Sequence, residues 1–126
     1  MSKVKTLSGG CHCGQVRFQL STEWPVHVFE CNCSICEAVG FLHLFVSSDE
    51  FTLLTPWEAL TTYTFNTGVA QHWFCKTCGV KSFYRPRSHP DGISVNARCL
   101  DDVPLSELTI EPFDGRNWEQ NVDSIR

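Results

Sequence analysis

No stretch of this 126-residue chain approaches the ~18 consecutive apolar residues that a membrane span requires. The longest apolar run, residues 41–46, is interrupted by His43 and is too short. Nor does an apolar segment follow Met1. Ser2, Lys3, Val4, Lys5 and Thr6 are mostly polar, so no export signal is expected, and a cytoplasmic location follows. Basic residues are in the minority, 10 Lys and Arg against 14 Asp and Glu. Such a balance lacks the clustered positive charge that phosphate contacts need, so nucleic-acid binding is not expected. The one local exception, Lys76, Lys81, Arg85 and Arg87, reads better as solvated strand and loop faces than as an anion patch. There are no repeats, no low-complexity tract, no linker and no long amphipathic helix. One domain over residues 1–126 is expected.

What the chain has in quantity is cysteine. Seven of its 8 cysteines fall in three groups: Cys11 and Cys13 followed by Gly14; Cys31, Cys33 and Cys36; Cys75 and Cys78 followed by Gly79. A disulfide framework is the competing reading. Without export the reducing cytosol keeps thiols free, and a bridge across one intervening residue has poor geometry. Zinc fits better, because tetrahedral coordination at about 2.3 Å brings sulfurs to within roughly 4 Å of one another. In an extended C-x-C both thiols point to one face, and in C-x-x-C-G the glycine can take the positive φ that closes the turn.

The first and third groups read as two matched knuckles, and the middle group has three sulfurs and no such glycine. The expectation is two Zn²⁺ per chain. Cys11, Cys13, Cys75 and Cys78 would close a structural site that joins distant hairpins. Cys31, Cys33 and Cys36 would hold a second zinc, partly occupied, with a position left for a substrate. Cys99 stands outside the groups and reads as core packing rather than a ligand. His12 should face away from the metal; His43 and His72 read as ordinary strand imidazoles, and His27 and His89 as surface positions. Glu37 directly follows Cys36, and a carboxylate there would repel an anionic ligand.

The rest of the pattern is mainly β. Residues 16–20 alternate apolar and polar, and residues 26–29, 41–46, 51–54, 61–65, 70–74, 80–84 and 93–97 are rich in aromatic and β-branched residues. Asn66, Thr67 and Gly68 suggest a hairpin turn, Asp101, Asp102 and Pro104 a single helical turn through Leu108, and the segment after Cys36 a brief coil.

The order C-x-C-G, C-x-C-x-x-C, C-x-x-C-G and a late Cys99-Leu100-Asp101 resembles the glutathione-dependent formaldehyde-activating enzyme family, over about residues 9–102. Residues 61–67, Ala70 to His72, Phe74, Val80, Ser82 to Tyr84, Pro86 to Ser88 and Trp118-Glu119 resemble its centromere protein V branch. The resemblance implies a β-tent fold of antiparallel sheets stabilised by zinc, with the same four-plus-three division of cysteines. It also implies a carbon–sulfur lyase-type enzyme acting on a small thiol/aldehyde adduct, with S-hydroxymethylglutathione formation from glutathione and formaldehyde as the specific case. The alternative is a non-catalytic, zinc-stabilised binding module. Oligomeric state is not legible.

Overall fold

The protein is described by a computed structural model covering residues 3–65 and 67–125. Ten strands form two sheets. The smaller pairs β1 (Lys3–Gly10), β2 (Arg17–Trp24) and β5 (Phe51–Leu53), in that order. The larger has seven strands. It runs β10 (Thr109–Phe113), β3 (His27–Cys31), β4 (Leu42–Ser47), β9 (Gly92–Asn96), β8 (Phe83–Arg85), β7 (Gln71–Cys75) and β6 (Leu60–Tyr63). Two short helices, α1 (Ser34–Val39) and α2 (Trp118–Asn121), complete the regular structure. No helix of the described residues is long and apolar enough to cross a membrane.

Alternation in β2 explains how the small sheet attaches. Phe18 and Leu20 are buried while Gln19 between them is exposed, so one face of the strand is apolar. Phe18 stacks on Phe51 at 5.4 Å and meets Phe83 of the large sheet edge-on at 6.0 Å. Both sheets therefore share one core of Val16, Phe18, Val28, Leu42, Phe83 and Val95. Gly9 sits where the layers come closest, opposite Leu100 in an isolated bridge. A side chain there would overlap the carbonyl oxygen of Cys99 and the ring of Phe18.

The mainly β expectation holds, with pairings antiparallel except for β10 beside β3, which is parallel. That strand is not among the expected ones, because Pro112 and the exposure of its first four residues hide its pattern. Residues 80–82, expected in a strand, are not. The Val80 carbonyl closes the turn at Cys75, and the Ser82 carbonyl accepts from Asn96 N–H at 2.8 Å. Those groups are committed before a ladder can use them. The helical turn after Pro104 forms as a single 3₁₀ turn, and α1 begins at Ser34, so it contains Cys36 rather than following it. Of the expected hairpin turn, Asn66 lies outside the described residues, while Gly68 has φ +73°.

Replacing Gly9 by alanine forces a methyl group against a backbone carbonyl that cannot swing aside. Gly9→Ala should lower unfolding free energy by about 1–3 kcal/mol in chemical denaturation. Gly14→Ala, which meets no atom within 4 Å, should cost only its left-handed backbone strain.

Candidate functional site

Two knuckles of the same construction meet at one edge of the protein. Cys11 N–H donates to the Val16 carbonyl at 3.0 Å, and Cys75 N–H to the Val80 carbonyl at 3.1 Å. Gly14 and Gly79 turn each loop at φ +85° and +77°. The extended C-x-C expected for Cys11 and Cys13 is instead a turn, which lets the Val16 N–H reach back to Cys11 Sγ at 3.3 Å. Thr77 and Cys78 N–H groups point at Cys75 Sγ, each at 3.4 Å. Backbone donors aimed at sulfur favour the thiolate. Cys13 Sγ lies 3.6 Å from both Cys11 Sγ and Cys75 Sγ, and all four sulfurs lie within 4.8 Å of one another. Tetrahedral zinc thiolate geometry asks for roughly 3.8 Å. The donor set fits zinc. His12 is exposed and is not one of the converging ligands.

The second group is assembled differently. Cys31 ends β3, Cys33 caps α1, and Cys36 lies one turn into that helix, buried. Their sulfurs also lie within 4.8 Å of one another. Without a metal the three share protons unequally. Cys33 is held far below the ordinary thiol value, because Cys31 and then Cys36 hydrogen-bond to it. This set too could hold a metal ion. Cys99 belongs to neither group.

Several residues that sequence reasoning passed over complete the second group. Asn32 locks the C-terminal segment onto the cysteine loop: its side chain donates to Asp114 at 3.0 Å and accepts from Arg116 N–H at 3.0 Å. Gly115 then passes so close that a Cβ would overlap Cys31 Sγ. Nothing in a lone Asn between two cysteines advertises this role. His43 is a satisfied core imidazole of its strand, as its pattern suggests, and its partners tie it to this group. Burial pushes its pKa down to about 3, so it is neutral. Ser94 Oγ lies 2.8 Å from its Nδ1 and Tyr84 Oη 3.3 Å. Either hydroxyl can donate to Nδ1, the nearer being Ser94, which leaves Nε2–H to point at Cys36 Sγ, 3.0 Å away. Hydrogen bonding of this kind fixes how a ligating sulfur is aimed.

Lys81 overturns the solvated-face reading of the basic cluster. It is 7% exposed, and its ammonium donates to His72 Nδ1 at 2.7 Å. The charge also sits 4.1 Å from the Tyr84 ring centroid and 4.9 Å from that of Phe41. Burial lowers its pKa to about 8, while Cys36, Cys33 and Cys31 pull the other way. Among the described residues no carboxylate pairs with it. The three-cysteine group is its counter-charge. Arg85 and Arg87 are half-buried: the former donates to the Pro90 carbonyl at 2.7 Å, the latter stacks 3.5 Å over Trp118.

A cavity of about 380 Å³ opens beside Cys31, Cys33 and Cys36. Aromatic side chains form much of its wall, Arg87 and Arg116 also line it, and no Asp or Glu does. Glu37 lines a separate depression on the other side of the helix and is ion-paired with Arg116. The Arg116 guanidinium, which also lines the cavity, offsets the repulsion expected at the pocket mouth.

Comparison with known proteins agrees with this geometry. The family model for the glutathione-dependent formaldehyde-activating enzyme matches residues 6–117. The crystal structure of a Rhodobacter sphaeroides protein from a structural genomics programme is similar at a TM-score of 0.73. It is 29% identical in sequence, with 82% of this chain and 99% of that one covered.

Two substitutions separate the sites. Cys75→Ser should sharply lower the melting temperature or abolish soluble expression, whereas Cys33→Ser should fold and bind about one metal fewer per chain, read by elemental analysis. Lys81→Met removes a buried charge of similar length. The variant should fold, yet its three-cysteine group should bind zinc about tenfold more weakly in chelator competition, with the four-cysteine group unchanged.

Proposed function

Because the chain belongs to the glutathione-dependent formaldehyde-activating enzyme family, we propose that it is a zinc-dependent carbon–sulfur lyase-type enzyme. Its substrate would be a small thiol/aldehyde adduct, S-hydroxymethylglutathione being the reference case. The observation that carries this reading is the juxtaposition of three convergent sulfurs with a cavity free of acidic side chains. The whole chain acts as one zinc-binding domain.

The reaction is an addition and its reverse. The thiol sulfur forms a bond to the carbonyl carbon, the C=O π pair moves to oxygen, and the thiol proton ends on that oxygen. No oxidant or reductant is needed. A zinc ion held by Cys31, Cys33 and Cys36 would supply Lewis acidity and a position favouring a thiolate sulfur. The protein's own contribution is orientation and electrostatics. His43 aims Cys36, and Lys81 offsets the negative charge of three thiolates with a further sulfur beside them. Arg87 and Arg116 stand where the carboxylates of glutathione would enter. Holding both reactants in one cavity replaces an encounter in solution by an oriented one. The binding-module alternative has less support, since the basic cluster it would rely on includes Lys81, which is buried, and Arg85, which donates to the Pro90 carbonyl.

Zinc-loaded protein mixed with glutathione and formaldehyde should accelerate S-hydroxymethylglutathione formation, followed by exchange NMR. Cys33→Ser should abolish the acceleration. A zinc-loaded protein with no effect on the exchange rate would overturn the lyase reading. Glu37→Lys releases Arg116 from its ion pair and should raise glutathione affinity by up to about tenfold in calorimetric titration, with the gain shrinking as salt is added.

A further inference from the structure

The cavity is larger than formaldehyde chemistry requires. A hydroxymethyl group has two heavy atoms and fills about the space of two waters, ~60 Å³, against a cavity of about 380 Å³. The thiol partner occupies part of the remainder, but its charged ends cannot lie against carbon. Buried without partners, carboxylate and ammonium groups cost far more than apolar contact returns. The carboxylates belong beside Arg87 and Arg116, and the ammonium toward solvent.

The wall beside the three sulfurs is left for something apolar. It is a run of rings: Phe29 lies 5.7 Å from Phe45, Phe45 5.7 Å from His43, and His43 5.5 Å from Tyr84. Tyr84 stacks on His72 at 4.9 Å with an interplanar angle of 9°, and His72 on Phe65 at 5.4 Å. A band of rings suits a flat aromatic group, which gains offset or edge contacts that an alkyl chain does not.

We propose that the carbon partner of the thiol carries an aromatic ring, which lies along this wall while the carbon–sulfur bond sits beside Cys31, Cys33 and Cys36. This rests on the lyase reading above and narrows its substrate to hemithioacetals of aromatic aldehydes. The bond changes are those already given: sulfur to carbonyl carbon, the π pair and the thiol proton to oxygen.

Stable thioethers test the wall without turnover. S-benzylglutathione should bind zinc-loaded protein at least about tenfold tighter than S-methylglutathione in calorimetric titration, as burial of one ring implies. It should also bind tighter than S-hexylglutathione, which matches its bulk without a ring. Phe65→Ala, at a 39% exposed position, should lower the ratio of S-benzyl to S-methyl affinity. S-methyl binding as tightly as S-benzyl, or S-hexyl more tightly, overturns the aromatic assignment while leaving the lyase reading intact. If no glutathione derivative binds, the glutathione reading fails on its own. Benzyl mercaptan against ethanethiol then decides the wall, and equal affinities overturn it.

Discussion

Everything in this molecule depends on the convergence of four sulfurs from two loops, Cys13 and Cys75 standing 62 residues apart in sequence. One loop ends β1 of the small sheet and the other follows β7 of the large one. Closing so long a segment has an entropic cost that a single hydrogen bond cannot meet, whereas a metal bound by thiolates contributes its binding free energy directly to folding. The shared ring cluster of Phe18, Phe51 and Phe83 then packs between layers whose ends are already fixed. Each knuckle is rigid before any metal arrives, because its backbone N–H groups are turned onto its own sulfur.

The second group has the opposite construction. It has no glycine knuckle, and its three sulfurs come from a strand end, a helix cap and the first turn of α1. What holds them is borrowed. Asn32 ties the loop to the C-terminal segment, Gly115 permits the approach, and His43 reaches Cys36 from β4. A site supported from several elements can lose or exchange a ligand without unfolding the domain. A site that itself supports the fold cannot. The way each group is anchored, as well as the number of sulfurs, thus supports the proposed division between structural and substrate-handling cysteines.

How much of this was legible in the sequence follows from range. The cysteine groups were legible because their spacing is local and a turn of a few residues determines where the sulfurs point. Eight of the ten strands follow from aromatic and β-branched runs, with ends off by a few residues. β1 was hidden by its polar, exposed first half, and β10 by Pro112. The supporting residues were not legible. Asn32, Gly115 and Arg116 act across 82 to 84 residues of intervening chain, and no local pattern encodes such a meeting. Lys81 was misread for the same reason. Beside Lys76, Arg85 and Arg87 it looks like part of a basic surface, and only the fold shows that its side chain turns inward.

Lys81 also explains how an anionic site is tolerated beside an apolar wall. Two positive charges on a metal leave three thiolates with one negative charge in excess, and a substrate sulfur would add another. In a medium of low polarity that excess is costly unless a cation lies within the same enclosure. A surface lysine or arginine would be screened by water and would open the cavity to it. Placed behind Tyr84 and Phe41 and hydrogen-bonded to neutral His72, the Lys81 ammonium supplies the charge from the protein side. Of these rings, Tyr84 lines the cavity. Apolar binding surface and anionic chemistry can therefore share one pocket, because the charge that balances the sulfurs is one layer behind the wall that the substrate touches.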